Sequence, residues 1–224
     1  MGRGKLIAIE GTDCSGKETQ TSLLIKRLRE DGIQVQNFSF PNYNSPTGRI
    51  IGENYLGKSG HSYFEEGAVN VDPRVASLYY AADRKYNIDK IMFLLNNGYN
   101  VILDRYVYSN MAHQGGKIGS ERKRIGLYNY LDRLEFKLLK LPRPDKTIFL
   151  HMPYERSLEL LKNREKLDDH ERNKKYLCMA EKSYNELARR YNFDVIECSD
   201  GENIKSIEEI NDILYEMVKS VLKR

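Results

Sequence analysis

The sequence predicts an α/β fold, a three-layer doubly wound parallel sheet. Five short apolar runs of strand length alternate with segments whose apolar residues recur at helical spacing. Strands that alternate with helices build a mostly parallel sheet covered on both faces. The first run also ends in a glycine-rich turn that opens directly into a helix, the local context a phosphate-binding loop requires.

The elements follow in order. KLIAIEG (5–11) is an apolar run closed by Gly11 and reads as a buried strand. KETQTSLLIKRLRED (17–31) places Leu23, Leu24 and Leu28 at helical spacing and stops at Gly32. IQVQNFSFP (33–41) alternates as a second strand. RVASLYYAADRKYNIDKIMFLLNNG (74–98) is helical, as one helix or two run together. YNVILDRY (99–106), KTIFLHMP (146–153) and FDVIECS (193–199) complete the strands, and SIEEINDILYEMVKSVLKR (206–224) is a terminal amphipathic helix. Ligands of such sheets bind beyond the carboxyl ends of the strands. The polar stretches after the first, third and fourth strands therefore share one rim.

The chain has 224 residues, which suits one domain (1–224) with a lid at about 154–175 inside it. No repeat or low-complexity linker argues for a second. Thirty-six basic and 32 acidic residues leave a net charge of +4. That mild excess fits an anionic small substrate as well as it fits a nucleic acid, so it decides nothing. Three scattered cysteines, Cys14, Cys178 and Cys198, match no zinc spacing and no disulfide framework, so a reducing cytoplasm is expected. No apolar run approaches a membrane span. The opening MGRGKLIAIEG has only a strand's worth of apolar residues, too few for a signal peptide, and Leu6 stands where a myristoylation signal has Ser or Thr.

Residues 11–19, GTDCSGKET, carry the chemistry. Gly11, Gly16 and Lys17 fall on G-x-x-x-x-G-K-[ST]. Glycines let successive N–H groups converge on an anion, and the dipole of the following helix adds to them. Thr12, Asp13, Cys14 and Ser15 complete the loop, and Lys17 reaches the outer phosphates. Glu18 stands where the template has a hydroxyl, with Thr19 next to it. A carboxylate beside phosphates is costly unless a cation intervenes, so Glu18 is a candidate magnesium ligand. The competing reading is an acid that merely suits a first helical turn.

With EGTDCSGK, SFPNYNSPTGRIIGENYL, SLYYAADRK, LDRYVYSNMAHQG and LKNREKLDDHE in this order, the chain resembles the thymidylate kinases among the P-loop nucleoside monophosphate kinases. The resemblance implies ATP-dependent phosphorylation of dTMP to dTDP with Mg2+, in a homodimer that engages neither nucleic acid nor membrane. It implies that Asp13 accepts a hydrogen bond from the 3′-hydroxyl of the deoxyribose. Arg105 would hold the acceptor phosphate, and Asp104 would position magnesium-bound water or the loop. Tyr80 would stack on the base, with Tyr79 as competitor, and Arg84, one turn on, would meet a base carbonyl. Phe40 belongs to the acceptor site. Asn110 and Gln114, four apart, could bond base or phosphate, and His113 stands where the family often has an aromatic. The phosphate loop lacks an arginine, so Arg164 of the basic lid becomes the catalytic candidate, supported by Lys162 and Lys166.

Three departures from the family pattern stand out: Glu18 itself, Asn42-Tyr43 where an arginine normally follows Phe40-Pro41, and Asp168-Asp169-His170-Glu171 in the lid. Arg49 or Arg74 is expected to replace the missing arginine. Two other functions remain open on this sequence. One is a kinase acting on another deoxynucleotide or nucleoside. The other is a nucleotide-binding protein that has lost catalysis.

Overall fold

The computed structural model describes residues 2–161, 174–201 and 203–222. Strand β1 (Leu6–Gly11) leads into helix α1 (Lys17–Glu30), followed by β2 (Val35–Ser39) and a short helix α2 (Pro46–Arg49) that runs on as a π-helical turn (Ile50–Tyr55). Then come α3 (Pro73–Asn96), β3 (Asn100–Asp104), α4 (Val107–Gly116) and α5 (Glu121–Asp132), which also continues as a π-helical turn (Arg133–Leu138). The chain closes with β4 (Lys146–His151), α6 (Tyr154–Leu161), α7 (Lys174–Tyr191), β5 (Asp194–Glu197) and α8 (Ile207–Leu222).

The five strands form one parallel sheet in the order β2-β3-β1-β4-β5. Every β1 side chain is buried, as parallel strands covered on both faces must be. The alternation of period two splits the core. Leu6, Ala8, Val101, Leu103 and Phe149 face α3, α4, α5 and α7. Ile7, Ile9, Ile102, Ile148 and Leu150 face α1 and α8. A third, smaller cluster of Ile51, Tyr55, Leu56, Ala68, Val71 and Ala76 consolidates the long connection between α2 and α3.

The expected segment 74–98 is a single helix. Asp72 caps it, accepting from the N–H groups of Arg74 (2.8 Å) and Val75 (3.2 Å), with Pro73 in its first turn. The expected strand 99–106 ends earlier, at Asp104, because Arg105 takes a left-handed backbone (φ 65°). Strand order reverses between β3 and β1, whose ends Asp104 and Gly11 lie on neighbouring strands. A crevice at this switch point is where doubly wound sheets bind ligands.

Candidate active site

A cavity of about 370 Å³ opens at that crevice. Its floor is the loop after β1. Gly11 has no room for a side chain, since a Cβ would stand 2.5 Å from Ser15 Oγ and 2.9 Å from the Lys17 side chain. Cys14 (φ 59°) and Gly16 (φ 72°) both take left-handed conformations to close the loop. For Cys14 this is backbone strain, of a kind retained at ligand-binding turns. No side chain caps the N-terminus of α1, whose first residues Lys17, Glu18 and Thr19 line the cavity. Thr12 secures the loop's far side, its hydroxyl donating to the Met152 carbonyl (2.8 Å) and accepting from the Met152 N–H (3.0 Å). Lys17 Nζ donates to the Thr12 carbonyl at 2.9 Å. Burial, with Arg105 nearby, lowers the pKa of Lys17 to about 8. Glu18 and Thr19 reach the same cavity, and Glu18 is exposed.

Arg105 stands across from the loop. Its Nη2 donates to Asp13 Oδ1 at 2.8 Å, and its Nη1 lies 3.0–3.3 Å from Gly11 O, Ser109 Oγ, His113 Nε2 and Tyr184 OH. Burial disfavours its charge, but Tyr184, Asp13, Asp104 and Glu10 outweigh that and raise its pKa. Arginine only donates, so His113 Nε2 accepts, and His113 Nδ1–H is left to donate to Tyr176 OH (2.9 Å). Beneath Arg105, Glu10 is fully buried. It accepts from Tyr106 N–H (3.0 Å) and from the Ser109 hydroxyl, and burial pushes its pKa up. Asp104 also lines the cavity, and its Oδ1 is buried with no hydrogen-bond partner among the described residues.

The opposite wall comes from α3 and α4. Tyr80 lines the cavity. Tyr79 turns away and stacks on Tyr55 at 6.2 Å, so of the two expected competitors only Tyr80 lies in the cavity. Arg84 reaches the cavity while gripped by Glu135, with Nε–Oε2 2.5 Å and Nη2–Oε1 2.6 Å; both residues are buried. Asn110 donates to the same carboxylate (3.0 Å) and to Ser77 O (3.1 Å). Gln114 is fully buried, lines the cavity, and leaves its amide oxygen without a hydrogen-bond partner among the described residues. Such an oxygen costs free energy until something pairs with it.

Phe40 and Pro41, joined by a cis peptide bond, form the remaining wall with Tyr43. Asp83 of α3 secures the loop that follows. Its carboxylate accepts from Asn42 N–H (2.8 Å), Thr47 Oγ1 (2.7 Å) and Asn87 Nδ2 (3.0 Å), with Ser45 Oγ at 2.9 Å. Arg49 and Arg74, expected to replace the missing arginine, do not line the cavity. Arg49 is exposed, and Arg74 lies 5.4 Å over the Tyr130 ring. Arg164, Lys162 and Lys166 fall outside the described residues.

Sequence reasoning overlooked Glu10, Lys58, Ser109, Glu135 and Tyr184. Two of these left a trace. Glu10 is a charge inside an otherwise apolar strand, and Tyr184 sits four residues after Ala180 and eight after Tyr176 on the buried face of α7.

A family model described as thymidylate kinase matches residues 9–210. The chain belongs to the thymidylate kinase family. Among its relatives, the thymidylate kinase of Schizosaccharomyces pombe is 28% identical over 98% of this chain and 93% of its own length. The probable thymidylate kinase of Pyrococcus horikoshii is 30% identical, with 98% of each chain covered. Among solved structures, that of thymidylate kinase from Candida albicans superimposes with a TM-score of 0.72 at 27% identity, covering 97% of this chain and 92% of that one. The family is thus shared with relatives that span almost the whole chain, and the five-stranded parallel sheet matches a family structure.

Proposed function

We propose that this chain is an ATP-dependent dTMP kinase, forming dTDP. One observation carries the reading: a single cavity joins an uncapped, lysine-bearing phosphate loop to a base-sized wall with an unpaired buried amide oxygen, and Arg105 stands between them. In this reading Gly11, Thr12, Asp13, Cys14, Ser15, Gly16, Lys17, Glu18 and Thr19 hold the ATP phosphates. Phosphoryl transfer needs in-line positioning and positive charge, and little covalent help. Lys17 supplies charge to the donor phosphates. Arg105 faces the acceptor phosphate from a frame of five neighbours. Asp13 accepts from the sugar 3′-hydroxyl as well as from Arg105.

On the base side, Gln114 offers one donor and one acceptor, the pattern that a pyrimidine edge with adjacent N–H and carbonyl groups satisfies. Tyr80 and Phe40 flank the ring. Arg84 lines the cavity, with its third nitrogen, Nη1, donating to the Tyr106 carbonyl at 3.4 Å, and Asn110 shares the Glu135 carboxylate that fixes Arg84. Arg74 acts outside this set.

The donor set suits magnesium. Asp104 has a buried carboxylate oxygen without a partner, and Glu18 brings a second hard oxygen to the same cavity. Magnesium held by one or two carboxylates plus phosphates needs no protein cage, and among the described residues no group of three His, Cys, Asp or Glu side chains could form one. The ion would supply neutralisation of the triphosphate charge.

In this reading residues 154–175 would serve as the lid of this single domain and Arg164, outside the described residues, would be its catalytic candidate. The partner is a second copy of the chain. Val75, Leu78, Tyr86 and Phe93 are exposed and fall within about 80° on one face of α3, at 100° per residue, an apolar stripe that pairing would cover. No helix among the described residues is long and apolar enough to cross a membrane, and three cysteines outside any disulfide suit a reducing cytoplasm.

A coupled ADP assay with dTMP, dUMP, dCMP, dGMP and AMP tests the function. dTMP should turn over fastest. Equal rates across the panel would favour a kinase of broader acceptor range, and ATP binding without turnover on any acceptor would favour a protein that has lost catalysis.

A further inference from the structure

Among the described residues, four Lys or Arg side chains line the cavity: Lys17, Lys58, Arg84 and Arg105. Three are committed. Arg84 is neutralised by Glu135 and Arg105 by Asp13, while Lys17 is bonded to the phosphate loop itself. Lys58 differs. Its ammonium lies 4.0 Å from the centroid of the Tyr43 ring, and no carboxylate among the described residues pairs with it. A contact with a ring face leaves N–H donors of the ammonium available to a ligand.

This cation is built into place. Tyr43 packs against Gly52, where a Cβ would stand 2.9 and 3.1 Å from ring carbons. The Lys58 N–H donates to the Gly52 carbonyl at 2.9 Å, after a left-handed turn at Gly57 (φ 65°). Ring and lysine are therefore both anchored on one residue. They stand on the wall that carries Phe40, Pro41 and Leu56, beyond the phosphate loop. A nucleoside monophosphate brings nearly two negative charges, and the charge of Arg105 is already opposed by Asp13.

We propose that Lys58, seated on Tyr43, binds the phosphate of the acceptor monophosphate. The assignment rests on the reading of this cavity as the acceptor site, and it names the group that fills the place of the arginine missing after Phe40-Pro41.

Calorimetric titration separates the contributions. The parent, Lys58→Met, Lys58→Arg and Tyr43→Leu are each titrated with dTMP and with thymidine, and KM for ATP is measured alongside. Circular dichroism melting checks that each variant is folded. In Lys58→Met the Kd for dTMP should rise about tenfold or more, the effect of losing one charge-assisted contact, with thymidine affinity and KM for ATP within twofold of the parent. Lys58→Arg should recover most of the loss, and Tyr43→Leu should lose an intermediate amount. Three results would overturn the assignment: dTMP affinity unchanged in Lys58→Met, an equal loss for thymidine, or a shift confined to ATP. A parent that binds dTMP no better than thymidine would instead overturn the acceptor-site reading on which the proposal stands.

Discussion

The Arg84–Glu135 pair offers a sharp test of how the base side of the cavity is held. Both side chains are buried, and two hydrogen bonds of 2.5 and 2.6 Å join them. Burial alone would lower the pKa of Arg84, but Glu135 outweighs it, so the arginine stays charged. Glu135→Gln keeps the volume and removes the charge, leaving a buried guanidinium without its counterion. Breaking a buried pair from one side costs about 3–5 kcal/mol. For a chain of this size that lowers Tm by roughly 10 °C. Replacing both partners, as Arg84→Met with Glu135→Gln, removes both buried charges, and Asn110 keeps its bond to Ser77 O; Arg84→Met alone completes the cycle. The double variant should therefore lie within about 2 kcal/mol of the parent, a coupling of at least ~2 kcal/mol on a double-mutant cycle. Urea unfolding monitored by circular dichroism measures all four proteins. Additive losses, or a Glu135→Gln loss under about 1 kcal/mol, would refute the claim that Glu135 exists to hold a charged Arg84.

Three further outcomes are expected. Arg105→Ala should lower kcat/KM for dTMP by about 10² or more, because it removes the charge-assisted contact proposed with the acceptor phosphate; steady-state kinetics on a folded variant decides it. The Lys17 pKa of about 8 implies proton uptake when ATP binds. In mildly alkaline buffer part of the free protein therefore carries neutral Lys17, a polyphosphate raises its pKa, and titration in buffers of different ionisation enthalpy should show uptake that fades as the pH is lowered and is absent in Lys17→Met. Glu18→Thr should shift the magnesium concentration for half-maximal activity, and an unchanged magnesium curve would leave Glu18 as a residue suited only to the start of α1.

The sheet and the phosphate loop were legible in the sequence because both are local. Short continuous apolar runs mark the strands, and the loop is written in consecutive residues from Gly11 to Lys17. The helices between β3 and β4 were less legible. In α5 the buried positions include Arg124, which donates to Glu186 and to the carbonyls of Ile118 and Gly119, so polarity there did not report exposure. The cavity residues that resemble family motifs, such as Asp13, Tyr80, Arg105 and Gln114, do meet in one place. Their partners were hidden because they are tertiary. Nothing near position 84 announces Glu135, fifty-one residues away, and nothing near Tyr43 announces Lys58. Conversely, Arg74 looked available in sequence, but its place in the first turn of α3 sends it to Tyr130 instead.

Asp83 has a consequence for selectivity. It lies on α3 between Tyr80 and Arg84, and it fastens the loop from Asn42 to Thr47. The same rigid helix therefore sets the position of the base wall and, through one saturated carboxylate, the position of Tyr43. The two ends of the acceptor cavity are referenced to a single rod, which works as a ruler. On the proposed reading a nucleotide would be measured by the span from its base to its phosphate, so a nucleoside 3′-monophosphate, with the same groups at a different span, should bind more weakly than the 5′-monophosphate in the same calorimetric titration.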